Sequence, residues 1–139
     1  MNSPLSEATW ALARFVFGVS LAFFHGYAKV FEGGVKGLTN TVAGLGFPAP
    51  SFFAWAASIT EFFGGILVAL GFMTRPAAAL CATTMAVAIF RHQADPIAKI
   101  EMAALYLAMM LLIVVVGGGR FSLDRVLRVR NPLQRKPLL

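Results

Sequence analysis

The stretch ATWALARFVFGVSLAFFHGYAKVF, residues Ala8–Phe31, decides the class of this chain. At 1.5 Å of rise per residue it is long enough to cross a hydrocarbon core of about 30 Å. Only Arg14, His25 and Lys29 interrupt its apolar character. A charge in hydrocarbon is costly unless paired or wetted, so such side chains face the interior of a helix bundle. The same pattern recurs further along. Glu61 sits in the middle of the apolar run 51–72, Arg91 and His92 close the run 76–92, and Glu101 lies about one turn inside the run 98–116.

Composition agrees. Of 139 residues, 58% are hydrophobic and 13% charged, with a mean hydropathy of +0.75; a soluble domain carries roughly 25% charge. Too little polar sequence remains to coat a soluble core. The length fits a single domain, 1–139. The net charge of +6 raises the question of nucleic acid, but six of the 12 Lys and Arg residues fall in the last 20 positions, directly after an apolar run. That placement reads as a lipid-facing basic flank, with a basic amphipathic tail over 120–139 opened by Ser122-Leu123-Asp124. It argues against nucleic-acid binding.

The breaks between runs are chemical. Ser6 and Glu7 supply a helix start signal for the first span. The segment 32–50 is Gly-rich, carries a weak helical pattern in Leu38, Val42 and Leu45, and ends in Phe47-Pro48-Ala49-Pro50, which stops any helix. Phe52, Phe53 and Trp55 suit a membrane interface. Met73-Thr74-Arg75-Pro76 is a tight turn with Pro76 in the first turn of the next helix. The sequence therefore predicts an all-α integral membrane four-helix bundle, with spans at 8–31, 51–72, 76–92 and 98–116. With four spans, Arg75 and the six tail cations share one side, against Lys29, Lys36, Arg91 and Lys99 on the other. That excess predicts cytoplasmic N- and C-termini. No basic residue precedes the first span and no small-residue cleavage pattern follows it, so it reads as an uncleaved anchor.

Helical spacing turns scattered charges into a candidate site. Arg14, Gly18, Leu21, His25 and Lys29 recur at steps of three and four and share one face. Ser58, Glu61 and Gly65 share another, and Gly64-Gly65 permits a close helix approach. Pairing is expected of Glu61 with His25 or Lys29, and of Glu101 with Arg91 or Lys99. The competing reading is that Lys29 snorkels to the interface and Glu61 forms a structural ion pair. A bis-histidine haem through His25 and His92 is not favoured, because two histidines near one membrane face arise easily by chance. No metal site is expected, since His25, Glu61 and Glu101 lack further ligands. The single cysteine, Cys81, excludes a thiol–disulfide pair within the chain.

Several of these stretches resemble the DoxX-type membrane proteins. His25-Gly26-Tyr27-Ala28-Lys29-Val30-Phe31 is similar to the family's HGxxKxF, and Gly46-Phe47-Pro48-Ala49-Pro50 to its loop. Glu61-Phe62-Phe63-Gly64-Gly65 resembles its ExxGG, and Gly71-Phe72-Met73-Thr74-Arg75 its GxxTR turn. Gly117-Gly118-Gly119-Arg120-Phe121-Ser122-Leu123-Asp124 resembles its GPGxxSLD ending, with Gly118 where proline is common. The resemblance implies a four-helix bundle in a bacterial-type inner membrane. It associates the chain with membrane redox chemistry, since one relative is a subunit of a thiosulfate:quinone oxidoreductase and another belongs to an oxidative-stress complex.

On that basis two readings follow. In the first the chain is a quinone-interacting redox subunit. His25 or Lys29 polarises a quinone carbonyl, Glu61 relays a proton, and Arg14, Arg91, His92 and Glu101 complete the polar cluster. The chain holds no electron-carrying cofactor motif, so a partner oxidoreductase or a substrate delivers electrons. In the second it is a non-catalytic anchor or assembly subunit whose charges specify helix pairing. A small transporter is a third option and requires a homo-oligomer.

Overall fold

The computed structural model describes residues 3–127, and among them every regular element is helical. Helix α1 runs Pro4–Phe31, α2 Val35–Gly44, α3 Pro50–Leu70, α4 Thr74–Arg91, α5 Ile97–Val116 and α6 Leu123–Val126. Three of them, α1, α3 and α5, are long and apolar enough to cross a membrane. The 18-residue α4 is not among these, because Thr74, Arg75, Thr83, Thr84 and Arg91 dilute its apolar character. The tail predicted over 120–139 continues past the described residues. Within them it is a single short turn of helix, α6.

Helix α1 begins earlier than its apolar run suggests. Ser3 is its N-cap, with Oγ accepting the Ser6 N–H at 3.1 Å, and Pro4 occupies the first turn. Glu7 lies in the first turn, as expected of a helix start, and is buried. The weak helical pattern of the Gly-rich stretch is a full helix, α2. It lays Val35, Leu38 and Val42 against Ala54 of α3, and Phe47 of the following segment packs against the same cluster.

Small residues set how α1 meets α3. A Cβ at Gly18 would lie 2.6 Å from Ala69 N and from Gly65 O, and one at Gly65 would lie 2.7 Å from Gly18 O. At Gly26 it would lie 2.5 Å from Phe62 N. Backbone therefore meets backbone along Gly18, Ala22 and Gly26, the close approach that small residues at helical spacing allow. Both helices carry a π-helical segment at this contact, Leu21–Gly26 in α1 and Thr60–Gly64 in α3. Each widened turn frees backbone carbonyls; Cys81 Sγ of α4 donates to Thr60 O at 3.5 Å. Helix α4 forms a hairpin with α5 around Ala78, Cys81, Met85, Tyr106, Met110 and Ile113, all buried. Outward-facing Leu105, Leu111, Leu112 and Val115 of α5 are half or more exposed and suited to lipid contact.

The two ends of the molecule differ. At the terminus end, the Gly117–Asp124 segment is stitched to the rest. Asp124 accepts from Met73 N at 2.7 Å, Thr74 N at 2.9 Å and Thr74 Oγ1 at 2.6 Å, capping the start of α4 from a distance. Trp10 Nε1 donates to Gly117 O at 3.0 Å, and Arg120 N to Glu7 Oε2 at 2.9 Å. At the opposite end α2 covers the start of α3, and the turn 92–96 joins α4 to α5.

Candidate functional site

A cavity of about 610 Å³ opens between α2, α3 and α4 at the end away from the termini. Its walls are mostly aliphatic and aromatic, with Leu38 and Val42 from α2 and Leu45 just after it, Phe53, Ala56 and Ala57 from α3, and Leu80, Val87 and Ala88 from α4. Polar groups enter at few points: Lys29, Thr60 and Glu61 on one side, Thr41 from α2, Thr83 and Thr84 on another, Arg91 and His92 at the end of α4. The Thr83 and Thr84 hydroxyls are spent on Ala79 O and Cys81 O of their own helix. Among the lining residues, Lys29 and Glu61 are the two that form an ion pair with each other.

Lys29 Nζ stands 2.5 Å from Glu61 Oε2. The Glu61 side chain is 5% exposed and that of Lys29 29%. An ammonium has three N–H donors and one is committed to the carboxylate. Glu61 Oε1 holds no hydrogen bond among the described residues. Both groups therefore keep hydrogen-bonding capacity, and both line the cavity. The π-helical segments account for the position. The turn Thr60–Gly64 carries Glu61 itself, and the widened turn Leu21–Gly26 rotates the end of α1 so that Lys29 meets it.

The same rotation separates residues that spacing had grouped. His25 turns away from the cavity and sets its ring edge-on to Tyr106 of α5, with centroids 5.1 Å apart. It is not the partner of Glu61, because the π turn breaks the three-and-four register between His25 and Lys29.

Arg14 leaves the cluster altogether. It is 2% exposed and donates to Val68 O, Ala69 O and Phe121 O at 2.6, 2.8 and 2.7 Å, closing the last carbonyls of α3.

Glu101 is exposed and enters no ion pair among the described residues, so the pairing expected with Arg91 or Lys99 is not formed. Those cations turn instead to the 92–96 turn. Arg91 Nη1 lies 3.3 Å from His92 Nε2, His92 Nδ1 2.5 Å from Asp95 Oδ2, and Lys99 Nζ 3.7 Å from Asp95 Oδ2. The tautomer with hydrogen on Nδ1 satisfies both neighbours of His92. Hydrogen bonding from His92 first, with Lys99 beside it, holds the Asp95 carboxyl below its usual range.

Sequence reasoning passed over Asp95, Thr60 and the α2 wall. Their signals were weak, a lone acid in a loop and a helix pattern among glycines. No group of three or more His, Cys, Asp or Glu side chains able to hold a metal occurs among the described residues.

A chain whose described residues fold only into helices, three of them apolar and of membrane length, with a charged pair on an apolar cavity, is a membrane protein. More particularly, it belongs to the DoxX family, whose model matches residues 9–94. The matched region contains α1 from Thr9 onward, all of α2 to α4 and every cavity-lining residue. No curated protein and no solved structure matches the chain.

Proposed function

We propose that the cavity binds a membrane quinone and that the chain serves as a quinone-interacting subunit of a redox system. The observation that carries this is the Lys29–Glu61 pair set into the wall of an otherwise apolar cavity of about 610 Å³. That volume is in the range of small-molecule sites, about 300–1,000 Å³. The apolar walls take the ring and the first part of its tail, and Lys29 hydrogen-bonds a ring carbonyl. Reduction to the quinol consumes two electrons and two protons. Glu61, holding one oxygen free, takes a proton from water and passes it to the ring oxygen beside Lys29, and the second ring oxygen takes its proton from water at the cavity mouth. Electrons come from a partner oxidoreductase, since the sequence carries no electron-carrying cofactor motif. In this reading α4 is the fourth span, shielded by α3 and α5, the termini face the cytoplasm, and the membrane is the bacterial inner membrane.

The anchor reading rests on a different feature of the same pair: the charges neutralise each other inside the protein, so they are able to act solely as a lock between α1 and α3.

Native mass spectrometry of the protein extracted from its own membranes in mild detergent separates the two. A retained quinone, lost in the Glu61→Gln variant while the protein stays folded, supports the redox subunit. A quinone-free protein whose Glu61→Gln variant no longer accumulates supports the anchor.

A further inference from the structure

We propose that a second, polar pocket at the terminus end holds a phosphate group. This pocket of about 270 Å³ lies between the Gly117–Gly119 loop, the start of α4 and the start of α6, far from the cavity described above. Its cations are Arg75, Arg120 and Arg125. Two carboxylates line it as well, and both are already committed. Glu7 Oε2 accepts the Arg120 N–H, and the two oxygens of Asp124 accept from Met73 N, Thr74 N and Thr74 Oγ1.

The guanidinium groups are not committed in the same way. Arg75 spends one N–H on Val115 O, whereas the Arg120 and Arg125 side chains enter no ion pair among the described residues. The loop between them has left-handed backbone at Gly117 (φ 83°) and Gly119 (φ 74°), so it turns sharply without a side chain to fill the space. Nor do the N–H groups of Gly118 and Gly119 find an acceptor among the described residues. A pocket in which three arginines face two carboxylates, Asp124 bonded through both oxygens and Glu7 through one, and in which no guanidinium forms an ion pair among the described residues, selects a compact anion with several acceptor oxygens. Its place at the end of the apolar helices α3 and α5 puts it level with lipid headgroups, and a soluble phosphate compound offers the same chemistry.

The test uses the full chain in phosphatidylcholine nanodiscs, followed by thermal unfolding. One arm adds short-chain phosphatidylglycerol and the other adds inorganic phosphate. A saturable rise in midpoint with phosphatidylglycerol alone assigns the site to a lipid headgroup, and a rise with inorganic phosphate assigns it to a soluble ligand. In either case Arg120→Gln/Arg125→Gln, both exposed side chains, raises the half-saturating concentration about tenfold or more. Neutralising Arg135 and Lys136 of the tail removes the same charge and leaves it unchanged. No saturable rise in either arm, or an equal effect of the two double variants, overturns the proposal.

Discussion

Lys29 and Glu61 are joined across the contact where the π-helical segments of α1 and α3 lie side by side, 2.5 Å between Nζ and Oε2. Either charge alone would be stranded against apolar surface. Breaking a buried pair from one side costs about 3–5 kcal/mol, and the 29% exposure of Lys29 puts this pair at the low end of that range. Glu61→Leu or Lys29→Met is therefore expected to destabilise by about 3 kcal/mol, with Lys29→Met/Glu61→Leu recovering most of the loss. Reversible unfolding in detergent micelles measures the cycle, and simple additivity of the two single changes would contradict the pairing.

Filling the cavity is expected to separate ligand binding from stability. Ala88→Phe projects a ring into the space between α2 and α4. Quinone retention should fall at least about tenfold while the unfolding midpoint stays within a few degrees of the parent. Unchanged retention in that variant would move the quinone site elsewhere.

Glycine substitutions should divide sharply by place. Gly18→Ala drives a methyl to 2.6 Å from backbone atoms of α3, where nothing but helix separation relieves it. A loss of about 2–3 kcal/mol or more is expected from such overpacking. Gly37→Ala in α2 meets nothing within 4 Å and should stabilise by about 0.5–1 kcal/mol through helix propensity. Thermal unfolding of both variants side by side measures the contrast.

Asp124 holds the start of α4 with three hydrogen bonds, so Asp124→Ala is expected to cost about 2 kcal/mol. Thr74→Val removes one of the three and should cost less. Their double mutant should fall short of the sum, because the two changes share a bond. Denaturant titration of the four proteins gives the coupling.

The 92–96 turn should show a pH dependence of known sign. His92 and Lys99 hold the Asp95 carboxyl below its ordinary value, so the folded state binds that proton less readily than the unfolded chain. The stabilisation is complete above the unfolded carboxylate range of about 3.9 and disappears as pH falls through the lower folded value. Asp95→Asn should flatten this acid limb and remove the same stabilisation near neutral pH, so that parent and variant converge only at low pH. Amide exchange of the turn against pH follows it directly.

Much of the architecture was legible because apolar run lengths and proline positions are local properties. Pro48 and Pro50 end one helix and admit the next, and Pro76 sits in the first turn of α4 as its chemistry requires. The pairing of Lys29 with Glu61 was one of two partners that spacing allowed. His25 was misplaced because spacing of three and four assumes an unbroken α-helix, and the turn Leu21–Gly26 is π-helical. Arg14 was misplaced for another reason: the carbonyls it closes, on α3 and on Phe121, lie more than fifty residues away.

What the sequence determined by itself is the solvent the chain belongs in and the need for its buried charges to find partners. Both follow from the free energy of placing charge in an apolar medium, which depends on composition and run length. Which charges meet was decided by the tertiary structure. Close contact of Gly18 and Gly26 with α3 fixes the relative height of the two helices, and the widened turns fix their rotation. Together these bring Lys29 to Glu61, send His25 to Tyr106, and leave a cavity beside the pair that no spacing of residues along the chain describes.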